Sequence, residues 1–489
     1  MTAHFLAFDL GAESGRAVHA QLRSGVLEID EVERFPNEAV SVGGSLHWDI
    51  LRLWREMQRI LNRISSSIKL DSIGVDTWGV DYALLGERGN LLENPYHYRD
   101  GRTTGVMERV FDRVPREVIY AITGIQFLSF NTLYQLFAAY ESTPQLVENA
   151  QHLVTIPDLL NYWLRGRLVC EYTNATTTQF VDPRTRSWST SLLTELGLPT
   201  KLLTQIVEPG SVLGALTAPG LLAGTPVVAP ACHDTGSAVA SVATTSRSAF
   251  LSSGTWSLLG AELPSPMITE RACSLNFTNE GGVCGTVRLL KNIAGLWLLQ
   301  SCRRSWIASG MEHSYEELLR AASNDARNSF RSLIDPDDPV FLRPDDMPSE
   351  IAAYCKRTEQ SVPQEAPAFT RAILESLAFK YRRVLESLEE LTGNHVEEIR
   401  IIGGGSLNRL LNQFTANATG RTAIAGPVEA TALGNIAMQM LATGAVSSLA
   451  EARTVINRSF PVERFEPFEA DRWSDHYSRF KHYCEGVHA

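Results

Sequence analysis

The stretch PACHDTGSA, residues 230–238, places a histidine directly before an aspartate where a run of small apolar residues ends. TPVVAPAC predicts a buried strand and TGSAVASVA the helix after it, so Asp234 falls at the carboxyl end of the strand. Open α/β sheets bind ligands at that edge, and a carboxylate there can accept the proton of a hydroxyl that attacks a γ-phosphate. The position also suits a helix N-cap at Asp234 or Thr235, and His233 alone fits a packed histidine. This stretch by itself leaves base and cap open.

A second stretch, DLGAESGR, combines a strand-end aspartate with a tight glycine turn. Gly11 and Gly15 permit a turn whose backbone N–H groups can cradle phosphate oxygens. Asp9 lies where a carboxylate can hold Mg²⁺ through water, because that ion keeps most of its hydration shell. An ordinary glycine hairpin is the competing interpretation. SSGTWS, residues 252–257, offers a second such turn, and two turns suit the two ends of a polyphosphate.

IIGGGSLN, residues 401–408, places three glycines between a predicted strand and a predicted helix. A flat ligand can lie against such a backbone, and the helix N-terminus favours nearby negative charge. The alternative is a sharp strand-to-helix turn, which needs fewer glycines. No lysine in the chain follows a glycine, which excludes a Walker A loop, and the Gly-x-Gly-x-x-Gly fingerprint is also absent.

Two further stretches, DTWGVD and LKNIAGLWLLQ, are candidate walls for a substrate and a nucleotide. Large aromatic side chains usually pack in the core, which is the simplest interpretation of Trp78 and Trp297. Gly79 lets a hydroxylated ligand approach the backbone, whereas the amides of Asn292 and Gln300 can bond hydroxyls without a charge.

The elements that position these residues alternate between strand and helix, which indicates an α/β fold. The opening HFLAFDLGAESGRAVHAQL predicts strand, turn and strand, and SAFLSSGTWSLLGAEL repeats that outline past the midpoint. The recurrence indicates two related halves. Polar and small residues cluster at 243–248, so we predict domains at residues 1–245 and 246–489.

Apolar spacing predicts the main helices and one further hairpin. APAFTRAILESLAFKYRRVLESLEELTG predicts the clearest helix of the chain, ended by Gly393. Helical spacing also extends from Asn131 to about Arg165. LDSIGVDTWGVDYALLGERGNLL predicts strand, turn and strand again, with GERGN as a hairpin turn.

Length and composition limit the class of protein. A chain of 489 residues is too long for one ordinary core, and a net charge of −11 argues against a general nucleic-acid or membrane-surface binder. No run of about 18 apolar residues predicts a membrane-spanning helix. The seven cysteines include no Cys-x-x-Cys pair, which is typical of reduced thiols, and the N-terminus lacks the pattern of a signal peptide, so we expect a cytoplasmic protein.

The motifs taken in order resemble the FGGY family of carbohydrate kinases. They are DLGAESGR, DTWGVD, PDLLNYWLRG, NATTTQ, CHDTGSA, SSGTWSLLG, IIGGGSLN and GPVEATALGNI. NEGGVCGTVRLLKNIAGLWLLQ and DPDDPVFLRPDDM resemble the subgroup that acts on L-rhamnulose, while the glycine turns are common to the actin-like ATPases. The resemblance extends from about Phe5 to about Gly444 and implies two actin-like domains of the ribonuclease H type, with ATP and sugar meeting in the cleft between them.

The resemblance also implies roles for single residues. Asp234 is the expected catalytic base and Asp9 is expected to organise Mg²⁺. The residues expected at the sugar are Gly79, His233, Asp234, Thr235 and Asn292. Those expected at ATP are Ala12, Glu13, Ser14, Gly15, Arg16, Thr255, Gln300 and Gly404. Many members of the wider family carry a small hydroxyl residue where this chain has Glu13, whose carboxylate repels phosphates unless it points away or shares the metal.

The activity implied by the resemblance is transfer of phosphate from ATP to the 1-hydroxyl of L-rhamnulose, giving L-rhamnulose 1-phosphate in L-rhamnose catabolism. Kinases of the same family that act on L-fuculose, L-ribulose or D-xylulose are the close alternatives. An actin- or Hsp70-like nucleotide-switched binding protein is the alternative from another class. It requires an added peptide-binding or polymerising domain, for which the chain shows no obvious extension after the second half.

Overall fold

The computed structural model describes residues 2–216 and 222–485, which form two compact units. Unit 1 comprises Met1–Ala243, Glu262–Leu289 and Ala430–Phe460, and unit 2 comprises Thr244–Ala261, Leu290–Glu429 and Pro461–Ala489. Two later segments therefore pack with the first unit. The division into domains 1–245 and 246–489 stays a prediction.

Strands of unit 1 come first along the chain. They are β1 Thr2–Leu10, β2 Ser14–Arg23, β3 Val26–Pro36, β4 Ala39–Val42, β5 Ser45–Trp48, β6 Ser72–Thr77, β7 Tyr82–Leu85, β8 His152–Thr155, β9 Cys170–Glu171, β10 Val181–Asp182, β11 Ser187–Trp188, β12 Ile206–Val207, β13 Ser211–Ala215 and β14 Pro226–Ala229. The remaining strands are β15 Ser248–Ser253, β16 Trp256–Leu263, β17 Thr278–Gly281, β18 Val287–Ala294, β19 Glu398–Ile402, β20 Thr422–Ala425 and β21 Glu463–Phe465.

The helices lie between and after these strands. The first ten are α1 Ile50–Ile64, α2 Val106–Phe111, α3 Arg116–Thr123, α4 Thr132–Ser142, α5 Pro144–Asn149, α6 Ile156–Arg165, α7 Tyr172–Thr177, α8 Thr190–Glu195, α9 Asp234–Ala240 and α10 Glu270–Ser274. The others are α11 Trp297–Ala308, α12 Tyr315–Asn324, α13 Met347–Arg357, α14 Ala366–Thr392, α15 Arg409–Thr419, α16 Ala430–Ala442, α17 Leu449–Ser459 and α18 Ala470–Glu485.

Unit 1 is organised around a sheet with the strand order β13, β14, β6, β1, β2, β3. β1 pairs antiparallel with β2 and parallel with β6, and β6 pairs parallel with β14. β1 reads as a continuous apolar run because it lies inside the sheet, where Phe5 and Phe8 are fully buried. Helix α16 covers this sheet by packing Leu433 and Ile436 into the same core cluster as Phe5.

Unit 2 has a sheet with the neighbouring order β18, β16, β15, β19, β20, β21. β15 pairs antiparallel with β16 and parallel with β19, which pairs parallel with β20. In each unit, therefore, the first strand of an antiparallel pair also pairs in parallel with a later strand. The recurring sequence outline predicted the antiparallel pair in both halves. The α/β class is confirmed.

The helix predicted from APAF to Gly393 is confirmed as α14. Its buried positions include Ile373, Leu377, Tyr381 and Leu388. Gly393 ends the helix in the left-handed region at φ 68°, where glycine has no steric penalty. Within the described ranges, no helix is long and apolar enough to cross a membrane.

One prediction about local structure was wrong. The helical stretch from Asn131 to about Arg165 is interrupted by β8, because β8 pairs antiparallel with β7. The error arises from a contact between segments about 70 residues apart, which a local pattern does not encode.

The predicted strand, turn and strand of LDSIGVDTWGVDYALLGERGNLL are present as β6 and β7, although β7 pairs with β8 rather than with β6. The predicted hairpin turn at GERGN is confirmed, because the N–H of Gly86 donates to the carbonyl of Asn90 at 2.9 Å and Leu85 bridges antiparallel to Leu91.

Candidate active site

Three aspartates lie at the carboxyl ends of three adjacent parallel strands of unit 1. Asp9 of β1 is the register partner of Asp76 of β6. Asp234 follows β14, and a bridge between Thr77 and His233 continues the pairing of β14 with β6. Since such strand ends meet at one edge of a sheet, the fold brings the three carboxyl groups to the edge where α/β sheets bind ligands.

The first two carboxyl groups have different surroundings. Oδ2 of Asp9 accepts two hydrogen bonds from Arg16, from Nε at 3.0 Å and from Nη2 at 2.7 Å. Asp76 is fully buried, its Oδ2 accepts from Nδ2 of Asn435 at 2.6 Å, and its Oδ1 has no hydrogen-bond partner. One carboxyl group is therefore ion-paired, and its neighbour carries a buried oxygen that is not satisfied.

Burial raises the pKa of both Asp76 and Asp234, and the negative charge of Asp9 raises both pKa values further. For Asp234 the nearby His233 acts in the opposite direction, as do two hydrogen bonds from Thr235. Those bonds reach Oδ1 of Asp234 from the Thr235 backbone N at 2.5 Å and Oγ1 at 3.1 Å. A carboxylate with a raised pKa is a stronger proton acceptor than an exposed one, which suits a general base.

Helix α9 begins directly at the candidate base. Its N-cap is His233, at φ −80° and ψ 121°, and the imidazole makes no capping hydrogen bond. Asp234 is the first helical residue. The alternative of Asp234 or Thr235 as the N-cap is wrong, because His233 takes that position.

The turn between β1 and β2 has the tight form that its glycines predicted. The N–H of Gly11 donates to the carbonyl of Ser14 at 2.9 Å, while Asn37 bonds the carbonyls of Gly11 and Glu13. A Cβ at Gly15 would lie 2.4 Å from the ring of Phe35, so packing alone requires that glycine. The Glu13 side chain is exposed. Ala12 and Arg16 lie in and just after this turn, so the candidate phosphate residues of unit 1 are contiguous.

Gly79 lies against the candidate sugar residue His233. A Cβ at Gly79 would lie 3.2 Å from Nε2 of His233 and 3.1 Å from Thr177. The next residue, Val80, has φ 66°, which a β-branched residue rarely adopts. Its N–H donates to Oγ1 of Thr177 at 3.0 Å, and its carbonyl accepts from Thr132. Strained backbone of this kind is concentrated at functional sites.

Asp81 fixes the segment that carries Gly79. Its Oδ2 accepts hydrogen bonds from Nε1 of Trp48 at 2.6 Å, from Nε1 of Trp78 at 2.9 Å and from the backbone of Tyr98 at 3.2 Å. Its Oδ1 accepts from Nε2 of Gln135 at 2.8 Å. Trp78 is buried, as its interpretation as a core residue predicted. The second aspartate of DTWGVD therefore orients two indoles next to the candidate sugar residue.

We expect Asp81→Asn to destabilise unit 1 by about 1–3 kcal/mol, because the amide NH2 group accepts no hydrogen bond, whereas both oxygens of the carboxyl group can accept even when it is protonated. Burial raises the pKa of Asp81 to about 6 from 3.8, so the folded state binds that proton more tightly than the unfolded state. The resulting stabilisation of the wild type is complete below the unfolded pKa of 3.8 and is lost as the pH rises through the folded pKa of about 6. Urea unfolding should therefore show the largest difference in unfolding free energy between wild type and Asp81→Asn near pH 3.8, and a smaller difference at neutral pH. A difference that grows with pH would contradict the assignment.

In unit 2 the turn after β15 contacts the start of α11. The carbonyl of Thr255 accepts from the N–H groups of Gly295 at 3.2 Å and Trp297 at 3.1 Å, and the carbonyl of Gly254 accepts from Leu296 at 2.9 Å. The candidate phosphate residue Thr255 therefore lies next to the helix that carries Gln300. Trp297 is half-buried, so its interpretation as a core residue is only partly met.

The three glycines after β19 contact the other side of the same turn. A Cβ at Gly405 would lie 2.1 Å from Oγ of Ser253, and one at Gly403, where φ is 83°, would lie 3.2 Å from the Ser253 carbonyl. Gly404 is exposed and nothing lies within 4 Å of its Cβ position. Packing thus requires the outer two glycines and leaves the middle one open to a ligand.

Of the two candidate amide residues of unit 2, Gln300 has a polar atom that suits a ligand. Oε1 of Gln300 on α11 is buried and has no hydrogen-bond partner. Asn292 lies on β18 and is half-buried. Thr255, Gln300 and Gly404 thus belong to segments packed around one turn, and Asn292 belongs to the strand that precedes α11.

Sequence reasoning missed three residues that the structure places near the base. Asp76 belongs to a motif that was noted only for its tryptophan and glycine. Its signal is the one that identified Asp9, namely an aspartate that ends a buried strand. Glu280 and Arg288 adjoin His233 from β17 and β18. Their sequence signal is weak, because Glu280 lies in the polar strand TNEG and Arg288 in VRLLKNIA, which holds a second basic residue.

The chain matches two family models, the N-terminal domain of the FGGY family of carbohydrate kinases at residues 4–240 and its C-terminal domain at residues 249–443. It is 45% identical over 487 residues to a rhamnulokinase of Bacteroides thetaiotaomicron, covering 98% of this chain and 99% of that one. A rhamnulokinase of Pectobacterium atrosepticum is 44% identical over 485 residues, covering 98% of this chain and 96% of that one.

Solved structures show the same fold at low sequence identity. A ligand-bound xylulose kinase from Lactobacillus acidophilus has a TM-score of 0.82 at 17% identity, covering 100% of this chain and 99% of that one. A Plasmodium falciparum glycerol kinase with ADP has a TM-score of 0.76 at 16% identity, covering 100% and 98%. The expected actin-like two-domain α/β fold is confirmed by these neighbours.

Fold, strand-end carboxylates and family models together define a carbohydrate kinase. The chain belongs to the FGGY family, as its motifs indicated.

Proposed function

We propose that the chain transfers the γ-phosphoryl group of ATP to the 1-hydroxyl of L-rhamnulose, giving L-rhamnulose 1-phosphate and ADP. Relatives named rhamnulokinase that are 41–45% identical over nearly the whole chain support this substrate. The observation that carries the chemistry is the half-buried carboxylate of Asp234, which follows the end of β14 and lies beside His233 at the start of α9.

In the proposed reaction Asp234 accepts the proton of the sugar hydroxyl as its oxygen attacks the phosphorus. The raised pKa of Asp234 favours this transfer, because a base works best when its pKa approaches the working pH. His233 and Thr235 contact that carboxylate and Gly79 lies against His233, and all three are proposed to orient the sugar. Asn292 of unit 2 is proposed to bond a sugar hydroxyl.

The phosphates of ATP are proposed to lie against the two glycine turns. In unit 1 the phosphates are proposed to contact the N–H groups and side chains of residues 12–16, which are Ala12, Glu13, Ser14, Gly15 and Arg16. In unit 2 the phosphates are proposed to contact Thr255. Gln300 offers a buried and unsatisfied oxygen to the nucleotide, and Gly404 offers open backbone.

Asp9 is proposed to organise Mg²⁺, and its surroundings fit that ion. Residues 2–216 and 222–485 contain no group of three or more His, Cys, Asp or Glu side chains able to hold a metal directly. Magnesium is often held by one carboxylate, waters and substrate phosphates, so such a group is not required. The unsatisfied oxygen of Asp76, on the neighbouring strand, offers a further oxygen for the ion or for its waters. When bound, the ion neutralises charge on the transferred phosphoryl group. Asp9 and Arg16 hold each other in place.

The proposed substrate is tested by ADP release with Mg-ATP across L-rhamnulose, L-fuculose, L-ribulose, D-xylulose and glycerol. We expect the highest kcat/KM for L-rhamnulose. Preference for another ketose would correct the substrate and keep Asp234 as the base. ATP turnover that is independent of sugar, with no acceptor phosphorylated, would favour a nucleotide-switched binding protein.

A cytoplasmic location stays a prediction from the cysteine pattern, and all seven cysteines are free.

A further inference from the structure

A buried ion pair adjoins the histidine beside the candidate base. Glu280 lies in β17 beside its last residue, Gly281, and Arg288 lies near the start of β18. Nη2 of Arg288 is 3.2 Å from Oε2 of Glu280, with side-chain exposures of 1% and 6%. Nε of Arg288 donates to the carbonyl of Gly281 at 2.9 Å, which fixes the guanidinium plane. None of the roles described above uses these two charges.

The pair contacts one nitrogen of His233 and leaves the other facing the base. Nδ1 of His233 is 3.2 Å from Nη2 of Arg288 and 3.3 Å from Oε2 of Glu280. Nε2 is 3.5 Å from Oδ1 of Asp234, and the same nitrogen faces Gly79. The ring is thus held from one side and presents its free edge to the carboxylate and to the position expected for the sugar.

The partners of Nδ1 decide which ring nitrogen carries the proton. When Arg288 donates to Nδ1, a neutral His233 carries its proton on Nε2 and can donate it towards Asp234 or a sugar oxygen. When Glu280 accepts from Nδ1, the ring is protonated there instead. Arg288 and Glu280 together therefore control the donor or acceptor character of the edge of His233 that faces the base.

Stability alone does not account for such a pair. Desolvation of two buried charges offsets their attraction, and apolar residues of similar volume often serve a core as well or better. We propose that Glu280 and Arg288 are positioning residues that hold His233, and through it Asp234 and the sugar, in the arrangement needed for phosphoryl transfer. This inference rests on the proposed function, because it assumes that Asp234 is the base.

The decisive test removes both charges together, so that neither is left buried and unpaired. In Glu280→Met/Arg288→Met we expect kcat for the preferred ketose to fall about 10- to 100-fold, by analogy with the loss of the outer hydrogen-bond partner of a metal-ligating histidine. The KM for ATP should change less than about twofold and the unfolding midpoint should stay close to that of the wild type. Wild-type kcat in this variant would overturn the proposal.

Conservative variants keep the test decisive if the double variant does not fold. Glu280→Gln removes the charge in nearly the same shape, whereas Glu280→Asp keeps it on a shorter side chain. We expect the Asp variant to recover part of the kcat that the Gln variant loses. Equal kcat in the Gln variant and the wild type would overturn the proposal.

A measurement without substrate separates this inference from the proposed function. The ring ¹⁵N shifts of His233, assigned by comparison with His233→Asn in histidine-labelled protein, report the tautomer directly. We expect them to change in Glu280→Gln. Unchanged shifts would overturn the positioning role even if the sugar kinase activity is confirmed. Changed shifts in a protein that phosphorylates no sugar would support the control of His233 by Glu280 and would contradict only the proposed function.

Discussion

Asp234→Asn should lower kcat for the preferred ketose by about 10²–10⁴-fold, the contribution of a positioned general base. The amide cannot accept the hydroxyl proton, yet it keeps an oxygen for the two hydrogen bonds from Thr235. The candidate ATP residues lie elsewhere in the chain, so the dissociation constant for ATP should remain near that of the wild type. ADP release and calorimetric titration with ATP measure the two effects.

The stability of the same variant separates a catalytic role from a structural one. Burial raises the pKa of Asp234, so its ionised form costs folding free energy at neutral pH and the neutral amide avoids that cost. The unfolding midpoint of Asp234→Asn should therefore equal or exceed that of the wild type. Asp112→Asn, the same change at an exposed position, should leave both activity and midpoint unchanged. Wild-type turnover by Asp234→Asn would show that the assigned mechanism is wrong.

The second large effect is expected from Gly434→Ala in α16. A Cβ at this position would lie 1.7 Å from the backbone carbonyl oxygen of Ser237 in α9 and 2.5 Å from its carbon. A backbone carbonyl cannot rotate away as a side chain does, so the two helices must separate. Overpacking of a core typically costs about 1–3 kcal/mol, whereas replacing glycine by alanine inside a helix returns about 1 kcal/mol. Because the contact of 1.7 Å is with backbone, the upper part of the overpacking range, about 2–3 kcal/mol, applies, and we expect a net destabilisation of about 1–2 kcal/mol.

This substitution should also lower activity, because α9 begins at Asp234 and any displacement of the helix moves the base. A small misplacement of a catalytic group can cost about 10²-fold in rate. Thr431→Ala, a change at a half-buried position of the same helix, serves as the control and should alter stability by no more than about 0.5 kcal/mol. Thermal unfolding and ADP release on both variants test the expectation. A Gly434→Ala protein with wild-type midpoint and kcat would show that the two helices tolerate separation.

Local sequence signals predicted those parts of the fold that depend only on neighbours in the chain. The apolar repeat of α14 and its terminal Gly393 lie within one segment, and the predicted and observed helix agree. The run before Asp9 and the turn from Gly11 to Gly15 likewise required no distant partner, because apolar residues and glycines there specify a strand and a tight turn. Asp234 was recognised as a strand-end residue for the same reason.

Tertiary contacts decided what a local pattern cannot contain. The strand β8 interrupts a helical pattern because it pairs with β7. Asn435 reaches Asp76 across 359 residues of sequence, and Arg288 reaches His233 across 55. The sequence by itself therefore determined the α/β class, the glycine turns and the candidate base. Only the folded chain decided which buried charges and amides surround that base, because such pairings depend on how the sheet orders its strands.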